Sequence, residues 1–192
     1  MKTLLTLLVL LFSSSVFSDD IADFQIEGVS IGDSLLDYMS EDEIISEIEW
    51  SKNWYYYKNN DFAEIYYFKK GEIYEYLSFL IKPNDKNYLI YGIYGNLNND
   101  IEECLKMKTN IVKEFELMFP SANKKDSKFS PSFDKTGKSK IYYSNFQFNM
   151  KDQIRVECYD YSEDLEDEGN VDGLSVSIKS HETTSWLEKK LD

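Results

Sequence analysis

The feature that most constrains the fold is a block of aromatic and β-branched runs between positions 50 and 97. Four runs, at residues 54–57, 62–68, 74–82 and 88–97, are separated by short segments rich in Lys, Asn, Asp, Gly and Pro. Such separators favour tight turns, and connections this short join neighbouring strands in antiparallel fashion. The block therefore predicts four consecutive strands that pair as hairpins.

Helical patterns lie on both sides of this block. Residues 101–119 place their apolar side chains at helical spacing, between an N-cap at Asn99 or Asp100 and a stop at Pro120. Earlier in the chain, the run from Ser40 to Glu43 is typical of a capping box that begins a helix. A short helical turn at residues 33–39 precedes it, so we expect two short helices or one kinked helix there.

The C-terminal half alternates between polar and apolar residues. Residues 141–150 and 154–161 are typical of a hairpin, residues 174–179 of a last strand, and residues 183–191 of a small helix. Hairpin strands grouped around helices indicate the α+β class. We predict an antiparallel sheet of about six to seven strands with helices packed on it, in the order α(α)-ββββ-α-βββ-α.

The N-terminal residues have the pattern of a secretory signal peptide. A basic start at Lys2 and an apolar run over residues 4–17 precede Ser18 and the acidic pair that follows it. An uncleaved membrane anchor is the alternative, but the run is shorter than the roughly 20 residues that span a bilayer. We predict cleavage of residues 1–18 after Ser18, which leaves residues 19–192 as a single domain without a membrane-spanning segment, periplasmic or secreted.

Export bears on the two cysteines, because an oxidising compartment permits a disulfide. Cys104 lies on the apolar stripe of the predicted helix, and Cys158 alternates with polar residues in a predicted strand, so both point inward. We predict a disulfide between them, worth roughly 4 kcal/mol from loop-closure entropy. Two free buried thiols and a reactive nucleophile are the alternatives, and the nucleophile is disfavoured because no histidine is placed to activate it.

An acidic run occupies residues 160–172. Hard cations such as Ca²⁺ prefer clustered oxygen ligands on a loop, and four carboxylates fit such a loop, those of Asp164, Glu166, Glu168 and Asp172. In an EF-hand loop counted from Asp164, the last position requires a bidentate glutamate, but here it is occupied by Ser175. We therefore favour a solvated acidic loop over a calcium site.

Residues 121–140 contain six lysines and are mostly polar, which predicts a mobile loop. Contact with anionic lipid headgroups, or with the acidic run, is the alternative. The stretch from Asp134 to Ser139 is similar to the phosphorylated-aspartate motif of cation-pumping ATPases and to the end of a phosphate-binding loop. We interpret both matches as chance, because no membrane spans are present and a strand follows instead of a helix.

The chain is rich in aromatic residues, with 15 Tyr, 12 Phe and 3 Trp. Residues 54–57 together with Tyr88, Tyr91 and Tyr94 could stack on sugars, although aromatic residues also fill sheets for packing reasons alone. The chain has one histidine, His181, which excludes multi-histidine metal sites and weakens any Ser/His triad. We expect no catalytic residue and no cofactor.

Three stretches carry a resemblance, at residues 23–36 (DFQIEGVSIGDSLL), 99–104 (NDIEEC) and 156–160 (VECYD). They resemble an uncharacterised family of exported proteins of small-genome, AT-rich marine alphaproteobacteria, over most of the chain after the signal peptide. The resemblance implies the periplasm and assigns no activity or site residue. The start of the first short helix is also similar to small periplasmic adaptor domains of the outer-membrane assembly lipoprotein type, whose lipid-anchor cysteine this chain lacks.

The formal net charge of −14 makes a nucleic-acid partner improbable, because an acidic protein is repelled by phosphate backbones. The ordinary globular composition excludes wholesale disorder, a collagen-like fibre and a disulfide-dense miniprotein. We predict an exported, non-catalytic domain that acts by binding an envelope protein partner. A small-ligand binder for carbohydrate or Ca²⁺ and a carboxylate-based hydrolase are the alternatives.

Overall fold

The computed structural model describes residues 21, 24–51, 61–68, 71–148 and 151–191. The predicted signal peptide at residues 1–18 and the predicted strand at 54–57 lie outside these residues.

The described residues form nine strands in two sheets. A small hairpin consists of β1 (Gln25–Ile26) and β2 (Val29–Ser30). The larger sheet contains β3 (Ala63–Tyr67), β4 (Tyr76–Ile81), β5 (Ile90–Asn98), β6 (Asn123–Phe129), β7 (Lys140–Gln147), β8 (Gln153–Asp160) and β9 (Gly173–Lys179). Its strand order is β3-β4-β5-β9-β8-β7-β6, and every neighbouring pair is antiparallel.

The described residues also form four α-helices: α1 (Glu41–Ser51), α2 (Ile101–Met118), α3 (Glu163–Asp167) and α4 (His181–Leu191). A 3₁₀ helix, Leu35–Asp37, precedes α1. The predicted α+β class and antiparallel sheet are therefore confirmed. Among the described helices, none has the length and apolar character needed to cross a bilayer.

The N-termini of α1 and α2 have the capping contacts that the sequence predicts. The Glu43 carboxylate accepts a hydrogen bond from the Ser40 amide at 2.8 Å, and the Ser40 hydroxyl accepts one from the Glu43 amide at 3.4 Å. This reciprocal pair is the capping box predicted for α1. At α2, the Asp100 carboxylate accepts from the Glu103 amide at 2.9 Å, so Asp100 and not Asn99 is the N-cap.

One face of the larger sheet, which we call the apolar face, forms the main core. A row of directly opposed side chains crosses four strands of this face: Ile93, Ile178, Ile154 and Phe146. All four are at most 1% exposed. Helix α2 packs on β8 and β9, and helix α1 packs on β3. The apolar face is thus covered by helices along much of its width.

The opposite face, which we call the polar face, is covered differently. Helix α4 contacts β5 and β9, and its Trp186 packs with Phe62 and Leu80 in a second, smaller core. Alternation along each strand places polar side chains between the core residues on this face.

The predicted mobile loop at residues 121–140 is wrong for its first half, because residues 123–129 form the edge strand β6. This strand pairs with β7 over its whole length, from Asn123 opposite Gln147 to Phe129 opposite Ile141. Its outer edge carries several lysines, which discourage pairing with other chains. An edge strand that is polar on both faces has no hydrophobic alternation, so the sequence pattern did not predict it.

Candidate functional site

The two cysteines lie where helix α2 meets strand β8. Their sulfur atoms are at disulfide-bonding distance, with the Cα atoms 5.8 Å apart, and both side chains are fully buried. The predicted pairing of Cys104 with Cys158 therefore has the geometry that it requires. The pair joins the helix to the apolar face, and we assign it a structural role.

The four candidate calcium ligands are not brought together. Asp164 and Glu166 lie on α3 and Glu168 directly follows it, all with exposed side chains. The Asp172 carboxylate accepts a hydrogen bond from the Tyr161 amide at 2.6 Å, and burial raises the pKa of this carboxyl. Within the described ranges, no group of three or more His, Cys, Asp or Glu side chains is arranged to hold a metal ion.

The Asp134 motif organises its own loop. The Asp134 carboxylate accepts hydrogen bonds from the Thr136 hydroxyl at 2.6 Å, the Thr136 amide at 2.8 Å and the Ser139 amide at 2.7 Å. The hydrogen bonds from Thr136 and Ser139 hold the pKa of Asp134 well below its usual range. These contacts give the motif a local structural role that needs no phosphate.

A serine–lysine–aspartate network lies where α2 meets β6 and β7. The Lys108 ammonium donates to the Ser144 hydroxyl at 2.6 Å, and that hydroxyl donates to Asp126 at 2.5 Å. Burial lowers the pKa of Lys108, and Asp126 offsets part of this effect. The Ser144 hydroxyl is buried, and Lys108 and Asp126 already occupy its accepting and donating positions. The network is better explained as a link between helix and sheet than as a nucleophile.

The three tyrosines considered for sugar stacking do not form one platform. Tyr88 is buried, and its hydroxyl donates to the Glu41 carboxylate at 3.3 Å. Tyr91 packs against Phe62, with the Lys82 ammonium 4.3 Å from its ring centre. Tyr94 lies on the polar face.

The polar face places complementary side chains in register across its central strands. One row consists of Tyr94, Ser177, Arg155 and Asn145, and the next of Asn96, Ser175, Glu157 and Tyr143. Side chains directly opposite one another in a sheet lie about 4.5–5.5 Å apart, so each row can act on one ligand group. The tyrosines, the asparagines and Arg155 are partly exposed, whereas both serines and Glu157 are buried.

Lys179 is the most unusual residue of the polar face. It follows Ser177 on β9, its side chain is 4% exposed, and its ammonium lies 5.5 Å from the centre of the Tyr94 ring. Burial lowers the pKa of Lys179 to about 8; the charge of Arg155 adds to this shift and that of Glu157 opposes it. A buried cation of this kind is typical of a functional position.

Arg155, the single arginine of the chain, lies beside Lys179. Its guanidinium is 4.8 Å from the centre of the Tyr143 ring, and it donates to the Glu157 carboxylate at 3.4 Å and to Asn145 at 3.3 Å. Glu157 also accepts a hydrogen bond from the Tyr159 hydroxyl at 3.3 Å. These contacts hold Arg155 in place with one side still partly exposed.

A second candidate is an open cleft of about 690 Å³ at the start of α4, which we call the α4 cleft. Its walls include Asp61, Lys82, Asp85, His181, Glu182 and Trp186. Lys82 forms an ion pair with Glu182 across one wall. The cleft therefore combines carboxylates, one ammonium and an indole around a space large enough for a small polar molecule.

No sequence motif marks the polar face, although strand alternation indicates it. The alternation of Leu174, Val176 and Ile178 indicates that these residues point into the core. The same alternation places Ser177 and Lys179 together on the other side. The pairing of this strand with Arg155 could not be obtained from local sequence, because the two positions meet only through long-range strand order.

Comparison with known proteins adds no assignment, since no protein family, no curated protein and no solved structure matches this chain.

Proposed function

We propose that the protein is an exported, periplasmic or secreted, non-catalytic domain that binds a protein partner of the cell envelope through its polar face. The observation that supports this most directly is the register of partly exposed tyrosine and arginine side chains contributed by β5, β7 and β8. Tyrosine and arginine are enriched in interface cores and among the residues that dominate binding energy. The buried disulfide-distance pair is compatible with an oxidising compartment.

Site-specific photo-crosslinking tests this proposal. A photoreactive residue replaces Tyr143 on the polar face, and in a control it replaces Leu117, which is 79% exposed on α2. In envelopes of the producing cell, we expect a discrete adduct from position 143 that is absent from position 117 and weakened by the added substitution Arg155→Met. The same adducts from both positions, or none from position 143, would contradict the proposal.

A second candidate function is binding of a small polar ligand, such as a carbohydrate, in the α4 cleft. The mixture of carboxylates with Lys82 and Trp186 around a cleft of about 690 Å³ favours it. A thermal-shift screen with sugars would detect it, because a ligand at 100 times its Kd stabilises a protein by about 2.7 kcal/mol. We expect Glu182→Gln to remove the ligand-induced thermal shift. Glu102→Gln, at an exposed position of α2 away from the cleft, should keep that shift.

The same cleft is where a carboxylate hydrolase would have its site. Asp61, Asp85 and Glu182 all border it, and a two-carboxylate mechanism needs one group as acid and the other as base or nucleophile. Hydrolysis of a glycan that is lost in both Asp61→Asn and Glu182→Gln would replace the binding proposal by an enzymatic one.

A further inference from the structure

The centre of the polar face contains an excess of positive charge in an otherwise acidic protein. Lys179 and Arg155 both face this region, and Glu157 is the carboxylate facing them. Glu157 pairs with Arg155 at 3.4 Å and its charge also acts on Lys179, so among the described residues two cations face one carboxylate here. The local balance is therefore positive although the whole chain carries −14.

Lys179 lacks the partner that a buried ammonium normally has. Within the described part of the chain, its ammonium forms no hydrogen bond or ion pair, and its contact is with the Tyr94 ring. Buried lysines are rarely found without a paired anion, because removing the charge from water is costly. One bound anionic group would therefore neutralise the unpaired charge of Lys179.

Ser177 supplies an independent observation at the same place. Its hydroxyl is fully buried, and its oxygen has no hydrogen-bond partner among the described residues. It lies between Tyr94 and Arg155 in one cross-strand row and precedes Lys179 by two positions on the same face of β9. Among the described residues, a hydroxyl and an ammonium thus lie without an acceptor beside the Arg155 guanidinium, whose own acceptors are Asn145 and Glu157.

We propose that Lys179, Ser177 and Arg155 form a subsite for a carboxylate, and that it receives an acidic side chain from an acidic segment of the partner. This inference rests on the proposed function and specifies the chemistry of the partner. The Lys179 ammonium provides the counter-charge, the Ser177 hydroxyl donates one hydrogen bond, and the Arg155 guanidinium contacts the carboxylate from the exposed rim. The flanking Tyr94 and Tyr143 rings contact the aliphatic part of the same segment.

Binding of an acetylated hexaglutamate peptide to the purified protein tests the subsite. A fluorescent peptide is titrated at pH 7 and about 0.15 M salt, where long-range repulsion from the acidic chain is screened beyond about 8 Å. We expect saturable binding that weakens about tenfold or more in Lys179→Met, as for loss of a charged hydrogen bond. The control Lys86→Met removes the same charge from an exposed turn and should change the affinity less than about twofold.

A second measurement uses the unchanged protein, so it does not depend on how a variant folds. Because the pKa of Lys179 is about 8, its charge is lost between pH 7 and 9.5, whereas ordinary lysines stay charged there. The charged groups that act on Lys179 are Arg155 and Glu157. We expect the peptide affinity of the wild-type protein to fall across this window, and the affinity of Lys179→Met to stay level.

The outcomes separate the subsite from the proposed function. Absence of saturable hexaglutamate binding, or equal affinity in Lys179→Met, Lys86→Met and the wild type, would overturn the subsite. A specific adduct from position 143 would leave partner binding intact in that case. Conversely, Lys179-dependent peptide binding without such an adduct would support the subsite and contradict the envelope partner.

Discussion

The two faces of the same sheet differ in what their side chains do. On the apolar face, Ile178 lies in a row of fully buried aliphatic and aromatic residues under helix α2. One residue away on β9, Ser177 and Lys179 point to the opposite side, where a buried hydroxyl lacks a partner and a buried ammonium lacks an anion. The first face stabilises the fold, whereas the second contains buried polar groups whose desolvation lowers stability.

This difference separates residues whose burial folding explains from residues whose burial it does not explain. Apolar burial contributes roughly 25 cal/mol for each Å² removed from water, so the covered face needs no further explanation. A buried cation without a partner is costly, and residues that lower stability are frequently retained for function. The contrast therefore directs functional experiments to the polar face and stability experiments to the apolar face.

The largest effect is expected from breaking the link between α2 and the apolar face. The double variant Cys104→Ser with Cys158→Ser should lose roughly 4 kcal/mol of unfolding free energy, because the bond closes a long loop in the unfolded chain. Denaturant unfolding under oxidising conditions measures the loss. Wild-type protein kept reduced serves as the control and should unfold like the variant. Equal stability of the oxidised wild type and the variant would show that the pair does not form a bond.

Two neighbouring residues on β9 allow a direct comparison of the faces. Ile178→Ala should lower the unfolding free energy by about 2–5 kcal/mol, since it leaves a cavity in the main core. Ser177→Ala should change it by less than about 0.5 kcal/mol or raise it, because the hydroxyl it removes has no partner. Urea unfolding of both variants at pH 7 measures the difference. Similar losses in the two variants would remove the distinction between the faces.

Lys179→Met should stabilise the protein at pH 7, by up to about 3 kcal/mol for a pKa lowered from 10.5 to about 8. Below pH 8 the ammonium is charged in both states, so its burial cost is fully present in the wild type. Between pH 8 and about 10 the unfolded chain binds more protons than the folded one, so wild-type stability rises with pH. The advantage of the variant should therefore shrink across this window in urea unfolding measured at pH 7, 8, 9 and 10.

The charges of Arg155 and Glu157 act on Lys179 from the adjacent strand, in opposite directions. A constant difference between variant and wild type from pH 7 to 10 would mean that Lys179 is not a buried, weakly basic group.

The smallest effect concerns α1, the helix that packs against β3. Ser40→Ala should cost about 1 kcal/mol, because it removes one half of the capping box and leaves the Glu43 amide without its side-chain acceptor. Ser46→Ala, inside the same helix, should cost nothing, since alanine is the better helix former. The thermal unfolding midpoints of the two variants distinguish the loss of the cap from the loss of a serine inside the helix. Equal midpoints for the two variants would contradict the capping assignment.

Local patterns predicted most of the elements correctly. The capping box at Ser40, the helix that begins after Asp100 and the turns between β3, β4 and β5 depend on residues close together in sequence. The inward positions of Cys104 and Cys158 followed from the same periodicities. Local pattern did not predict strand β6, because this edge strand buries neither face and its seven residues show no apolar alternation.

The candidate site was less predictable than the fold. The carboxylates from Asp164 to Asp172 are close in sequence, yet helix α3 and the contact with the Tyr161 amide keep them apart. No sequence motif groups Lys179 with Ser177 and Arg155, because an acidic helix separates the two strands that carry these residues. Cross-strand register is a property of the whole sheet.

The sequence by itself determined the fold class, the helix starts, the inward cysteines and the alternation that divides each strand into two faces, because these depend on neighbouring residues. Only the tertiary structure decided which strands are adjacent, which face the helices cover and which polar groups remain without partners. Those properties depend on contacts between distant parts of the chain. The order β3-β4-β5-β9-β8-β7-β6 brings the single arginine beside a buried lysine, and that juxtaposition arises only when the sheet is complete.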